Sequence, residues 1–468
     1  MLNKSDNKNI VEINDICKNQ REFFSNKKTL SHDHRIYLLN KIKRIIKESE
    51  KDLEKALEKD LGKCRFEAQA TEITFVLGEI DFILKSLKKW MRAKRVSTPK
   101  VHFPAKSWIR PQPYGNVLII GPWNYPFHLL FSPLIGAISA GNTVVLKPSE
   151  LAPATSSLIL EMINENFDTG EIRVIEGGVE ETTELLEQKF DYIFYTGGPF
   201  VGKIIMEKAA KHLTPITLEL GGKSPCVVLA DVDMEVTAKR IIWGKFINAG
   251  QTCVAPDYLL IEKNIKDEFI KICKKVLKDF YGNDIKNNSE YGRVINERHF
   301  KRLESLLFDA KILIGDKPCL EDLYFPPTFV KANLNSKIME EEIFGPILPM
   351  IEISGVQEAI EIIEKRDNPL ALYLFTNNRQ IQNLFVRETN SGGLLINDTM
   401  IHLSNLRLPF GGVGNSGIGG YHGEFSFKTF SHYKSIMKRY FKFDVPIKYP
   451  PYLNKLKLVK WLLKYLGN

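Results

Sequence analysis

The sequence predicts an α/β protein centred on a doubly wound, largely parallel sheet, with a second α/β region after it. Three observations carry this. Short apolar runs alternate with helix-period stretches through the middle of the chain, and Gly, Pro and Asn mark the turns that follow the runs. The 468 residues, 44% of them hydrophobic, can bury more than one core.

The chain opens with helices. Ser31 is placed to cap one in which Ile36, Leu39, Ile42 and Ile46 share a face, Leu53, Leu57 and Leu61 mark a second, and a third spans Thr71 to Trp90. Three helices are therefore expected before about residue 95. Val96 to Pro113, broken by Pro99, Pro104, Pro111 and Pro113, reads as strand or connector.

The alternation follows. Strands are expected at Val117 to Ile120, Thr143 to Leu146, Arg173 to Ile175, Tyr192 to Tyr195 and Cys226 to Leu229. Helices fall at Pro126 to Ala140, Pro153 to Asn166, Glu180 to Glu187 and Val201 to His212. In such sheets ligands bind at the carboxyl ends of the strands. The second region runs from about Lys223 to Asn405, with strands near Tyr258 to Ile261, Leu348 to Ile351 and Gly393 to Leu395.

Charge and cysteine usage exclude several function classes. The net charge is +9, but residues 431–468 hold nine Lys or Arg against a single acid, Asp444, so nearly all of the excess lies in a tail. A nucleic-acid groove across the fold is therefore not expected. Cys17, Cys64, Cys226, Cys253, Cys273 and Cys319 form no CxxC pair and cluster with no histidines. Neither a zinc site nor a disulfide framework is indicated, and scattered free thiols suit a reducing, cytoplasmic compartment. His32 and His34 flank Asp33 without the further ligands a metal would need. Met1 to Gln20 has no apolar core of the kind a secretory signal carries.

Several short segments carry chemistry. Cys253 lies in Asn248-Ala249-Gly250-Gln251-Thr252-Cys253-Val254-Ala255-Pro256, a small-residue context that can present a thiol, although a buried core cysteine fits as well. Glu219 lies between Leu218 and Leu220 and is either a solvated strand carboxylate or a desolvated base. Asn124, in Gly121-Pro122-Trp123-Asn124-Tyr125-Pro126, follows a strand and can either donate to an oxyanion or cap the helix expected to start at Pro126. Lys147 and Glu150 follow the next strand, where they can hold ribose hydroxyls or form a solvated turn. Thr196-Gly197-Gly198-Pro199-Phe200-Val201-Gly202 is a glycine-rich strand-to-helix turn able to approach a pyrophosphate, though it is not GxGxxG. Glu340, Glu341 and Glu342 lead into Ile343-Phe344-Gly345-Pro346, a charge run that alone reads as solvated.

In this order and at these spacings, the segments around Asn124, Lys147, Glu150, Gly202, Glu219, Cys253, Glu342 and Phe344 resemble the aldehyde dehydrogenase superfamily, over about residues 30 to 445. Pro409-Phe410-Gly411-Gly412-Val413-Gly414-Asn415-Ser416-Gly417 and Gly420-Tyr421-His422-Gly423 resemble its class 3 branch, which includes fatty aldehyde dehydrogenases. The resemblance implies a Rossmann-type NAD(P)-binding domain (1–91 and 112–221), a second α/β catalytic domain (222–405) and a small β bridging and oligomerisation element (92–111 and 406–445). Residues 446–468 remain as a basic amphipathic C-terminal helix.

It also implies roles. Cys253 is the expected nucleophile, Glu219 the base that activates water for deacylation, and Asn124 the oxyanion donor. Trp123, Lys147, Glu150, Gly198, Gly202, Leu220, Glu342 and Phe344 are expected around the cofactor, and Tyr125, Ile401 and His402 in the substrate pocket; no metal is expected. Gly198 stands where the family usually has Ser. Glu150 favours NAD over NADP, since a 2′-phosphate would meet its charge, but class 3 relatives often use both. A homodimer is the expected assembly. A CoA-acylating enzyme, which usually lacks the base, and a non-enzymatic binding protein on the same fold are the alternatives.

In the tail, Leu453, Leu456, Val459, Leu463 and Leu466 align on one helix face, with Lys457, Lys460 and Lys464 on another. The pattern suits either an anionic membrane surface or docking on protein, and residues 452–468 are the candidate peripheral contact.

Overall fold

The computed structural model describes residues 4–466 apart from 309, 443 and 445, and side chains from residue 12 to 465. It is an α/β structure with three sheets. The first runs in spatial order Gly417–Ile418, Ile216–Glu219, Tyr192–Thr196, Asn116–Ile120, Thr143–Lys147, Ile172–Val174. All of its pairings are parallel except that of Gly417–Ile418. The chain enters at Asn116–Ile120, winds outward to Ile172–Val174, then returns to Tyr192–Thr196 on the other side. That reversal opens a crevice beyond the carboxyl ends of Ile120 and Thr196.

Alternation along the central strand explains both helical layers. Val117 and Ile119 pack with Phe127, Leu130, Phe131 and Leu134 of the following helical segment, whereas Leu118 and Ile120 pack with Ile13, Ile16, Ile205 and Leu218. Ile13 and Ile16 belong to a helix, Lys4–Ser25, that precedes the three expected from the sequence. Its mixed charge hides a short apolar stripe, and Gln20 anchors it by donating to the Val144 carbonyl at 2.9 Å. The Ser31 cap forms, its hydroxyl accepting from the His34 N–H. The helix after Asn124 begins at His128 rather than Pro126, so Asn124 does not cap it.

The second sheet has the order Lys311–Ile314, Thr328–Lys331, Ile347–Ile353, Tyr258–Glu262, Pro225–Val228, Ala371–Phe375, Gly393–Ile396. The Cys226 to Leu229 strand, grouped by sequence with the first alternation, pairs here between Tyr258–Glu262 and Ala371–Phe375. Ile216–Glu219 takes the place it leaves in the first sheet, and Gly417–Ile418 closes that sheet's edge. The third sheet is antiparallel: Ala105–Pro113 lies between Lys94–Val96 and Ser431–Arg439. The tail helix covers Leu456–Leu466, so Leu453 precedes it.

Candidate active site

Cys253 sits between the short turn Ile247–Gly250 and strand Tyr258–Glu262 of the second sheet. The turn is held in an unusual shape: Asn248, Ala249 and Gly250 have φ of 52°, 50° and 73°. Left-handed backbone costs about 1–2 kcal/mol for each of the two non-glycine residues. Buried amide bonds offset it. Gln251 donates to the Asn248 carbonyl at 3.0 Å and the Arg293 carbonyl at 2.8 Å, and accepts from the Ile295 N–H at 2.9 Å. Cys253 as a residue is half-buried, at the end of this loop. Burial raises its pKa well above the ordinary value, and the nearby carboxylates of Glu342 and Glu219 push it further.

Asn124 reaches the same loop from the first sheet. Its side-chain amide donates to the Gln251 carbonyl at 2.9 Å, and its own carbonyl accepts from Asn248 Nδ2, also at 2.9 Å. The second amide hydrogen is left for a ligand near the thiol. Tyr125, expected in the substrate pocket, is buried; its hydroxyl bonds Thr252 at 2.7 Å and its ring lies 3.9 Å from the Lys63 ammonium.

Glu219 ends its strand in register with Thr196 on one side and Gly417 on the other. It is 1% exposed, and neither carboxylate oxygen has a hydrogen-bond partner. Burial alone raises its pKa well above the carboxylate range. The solvated-strand reading therefore fails: Glu219 is buried although it points to the face opposite Leu218 and Leu220, so both faces of the strand are covered.

Around the crevice, the proposed cofactor residues divide. Lys147 is buried, donates to the Pro148 carbonyl at 2.7 Å and has its pKa lowered by desolvation, whereas Glu150 is exposed at the rim. Gly198 precedes helix Pro199–Ala210, and open space surrounds the position a side chain would take there. A Cβ on Gly202 would stand 3.0 Å from Leu220, so this glycine permits close packing of the helix on that residue. Glu342 is half-buried, unlike the exposed Glu340 and Glu341; burial and the Asp257 charge raise its pKa to about 8. Phe344 has φ 47° and meets Trp123 edge to face at 5.3 Å. Thr196 adds a buried hydroxyl with no hydrogen-bond partner at the crevice. An unsatisfied hydroxyl, an open turn at a helix N-terminus and a rim carboxylate fit a dinucleotide's pyrophosphate and ribose.

Of the residues expected in the substrate pocket, Ile401 is half-exposed, and His402, whose ring lies 6.2 Å from that of Tyr373, makes no hydrogen bond through either ring nitrogen. Burial lowers the pKa of His402 to about 4 and those of His128 and His422 to about 3, so all three rings are neutral. Phe75 lies 4.2 Å from His128 and 5.6 Å from His422, which stacks on Phe410 at 5.3 Å. Phe75 and His128 carry no motif of their own, and the packing of helix Thr74–Trp90 against helix His128–Ala140 brings them beside Phe410 and His422 of the glycine-rich C-terminal segments. Among the described residues, no group of three or more His, Cys, Asp or Glu is placed to hold a metal.

The aldehyde dehydrogenase family model matches residues 2–436. The 4,4'-diaponeurosporen-aldehyde dehydrogenase of Staphylococcus aureus is 46% identical over 447 residues, covering 95% of this chain and 97% of its own. The dimeric NADP-preferring aldehyde dehydrogenase of Rattus norvegicus is 46% identical over 426 residues, covering 91% and 94%. The solved substrate-bound state of Staphylococcus aureus AldH superposes with TM-score 0.94 at 46% identity, covering 96% of this chain and 99% of that one.

Proposed function

The chain belongs to the aldehyde dehydrogenase family, an oxidoreductase family that uses NAD or NADP, and from that premise we propose that Cys253, Glu219 and Asn124 perform its oxidation of aldehydes to carboxylic acids. The observation that carries the assignment is the convergence of a desolvated thiol, an unpartnered buried carboxylate and a tethered amide from two sheets.

In this reading, the Cys253 thiol gives its proton to solvent water, Sγ adds as thiolate to the carbonyl carbon, and the displaced electron pair becomes an oxyanion. The free N–H of Asn124 Nδ2 and the Cys253 backbone N–H stabilise that charge. Bound NAD(P) supplies the acceptor for the hydride that leaves the same carbon. As the carbonyl re-forms, the acyl group is left on Cys253 as a thioester. Glu219, once ionised, takes a proton from water; the hydroxide adds to the thioester, the S–C bond breaks and the acid departs. Lys147 and Glu150 would hold the adenosine ribose, Glu342 the other ribose, and Phe344 and Trp123 would line the nicotinamide side.

The substrate proposed is a medium- or long-chain aliphatic, or an aromatic, aldehyde. Its support is the cluster of neutral rings Phe75, His128, His422 and Phe410, whose apolar faces suit a lipophilic tail. The relative acting on a diaponeurosporen-aldehyde agrees in kind. A homodimer is proposed because the outer edge of Ser431–Arg439 has no strand partner among the described residues. Among those residues no helix is long and apolar enough to cross a membrane. A cytoplasmic enzyme attached peripherally to anionic lipid through residues 452–468 is proposed, supported by the basic, largely uncovered helix.

NADH formation across an aldehyde chain-length series, with and without CoA, tests the assignment. Turnover independent of CoA and improving with chain length is expected, and Cys253→Ala should abolish it. Steady-state turnover in Cys253→Ala at the wild-type rate overturns the scheme.

A further inference from the structure

Lys63 is a fully buried lysine in the loop between helices Glu50–Leu61 and Arg65–Ala68, remote in sequence from every motif above. Its ammonium pairs with Glu72, itself fully buried, and donates to the Asn124 carbonyl at 2.9 Å. Glu72 sits in the π-helical turn Gln69–Ile73, a backbone form that recurs at functional sites. One of its oxygens takes the Lys63 ammonium. The other accepts the backbone N–H groups of Phe127 and His128, both at 3.0 Å, at the start of helix His128–Ala140. The stretch from Asn124 to His128 is thereby held at both ends by one ion pair.

Two charges taken out of water cost more than apolar side chains of the same volume, so such a pair is an expensive way to fill a core. What it supplies is direction. With the Asn124 carbonyl fixed by Lys63 and by Asn248 Nδ2, the peptide plane is set, and one side-chain N–H is committed to Gln251. The remaining N–H then has a single orientation.

We propose that Lys63 and Glu72 are positioning residues for the oxidation, an ion pair that aims the Asn124 amide at the oxyanion formed on the Cys253-bound substrate. The inference rests on the reading of Asn124 as the oxyanion donor.

Because removing one partner strands a buried charge, the informative variant is the matched neutral pair, Lys63→Met with Glu72→Gln. Pre-steady-state NADH bursts are measured in that double variant, in Asn124→Ala and in the triple combination, with cofactor KM and melting temperature recorded for each. The expected result is a burst slowed roughly 10- to 100-fold in the double variant with cofactor KM held within about twofold. In the Asn124→Ala background the same pair should cost less than about twofold, since the group it aims is gone. A wild-type burst in a folded double variant, or penalties that multiply in the triple, overturns the proposal. If the double variant does not fold, the other matched neutral pair, Lys63→Gln with Glu72→Gln, takes its place in the same cycle, with the same two overturning outcomes. An unslowed burst in Asn124→Ala removes the underlying reading, and the proposal with it.

Discussion

Glu342 leans on Gly221: a Cβ at Gly221 would stand 2.1 Å from the Glu342 carboxylate oxygen, while the neighbouring Gly222 N–H bonds the same carboxylate. The glycine makes room for an acid that the cofactor reading assigns to a ribose. Gly221→Ala should therefore leave the fold intact, because the obstructed atoms end a flexible side chain, yet shift the carboxylate. Cofactor KM is expected to rise roughly tenfold, about the worth of one charge-assisted hydrogen bond, with kcat changing less. Titration of NADH fluorescence checks this, and unchanged affinity in both Gly221→Ala and Glu342→Gln refutes the assignment of Glu342.

The Cys253 thiol is held protonated by burial and by the negative fields of Glu342 and Glu219. In cofactor-free enzyme its alkylation by iodoacetamide should accelerate about tenfold per pH unit from 7 to 9. Glu342→Gln removes one of those fields, so the variant should react faster at every pH in that range. A rate flat with pH would mean that the thiol is already ionised.

Glu79 offers a pH test of stability away from the chemistry. It is buried, accepts from the Gly423 N–H at 2.9 Å, and has a pKa raised by burial to about 7. The unfolded chain releases this proton near pH 4.5, so the folded state binds one more proton in between. Its stabilising effect is complete below that pH and is lost as pH rises through about 7. Wild type should lose roughly 3 kcal/mol against Glu79→Gln between pH 4.5 and 7.5. Denaturant midpoints for the two proteins at both pH values decide it; parallel curves count against the shift.

The tail makes a prediction of its own. Leu456, Trp461 and Leu463 of the terminal helix are more than half exposed, beside Lys457, Lys460 and Lys464. The protein should float with vesicles containing anionic lipid, and a chain ending at residue 449 should not. Salt at 0.5 M should release most of the bound protein, since the surface attraction is screened within a few ångströms. Equal flotation of both chains ends the membrane proposal.

The parts of the site legible in the sequence were those carried by local motifs. Cys253, Glu219 and Asn124 each stand in a short segment whose pattern is informative, and the strand-helix alternation placed the first sheet. What escaped were facts of packing. No pattern links Lys63 or Glu72 to Asn124, and they meet only because the turns after helix Glu50–Leu61 pack against the segment that leads into helix His128–Ala140. Likewise the apolar stripe of Ile13, Ile16 and Cys17 is too short to stand out among charges, so the first helix was missed. The Cys226 strand reads as part of the first alternation although the second region is expected from about Lys223, because runs of buried residues look alike whichever parallel sheet receives them.

Glu219 is mounted on a strand with a neighbour on each side, so its backbone cannot step aside without unzipping ladder bonds. It behaves as a fixed post, free to turn about its own torsions but unable to retreat as a loop residue could. If Glu219 is the deacylating base, as proposed, its access to water depends on its side-chain torsions and on the space in front of it, not on movement of its strand. Rerouting the acyl group to an amine or thiol acceptor becomes a problem of rebuilding that vestibule while the strand stays as it is.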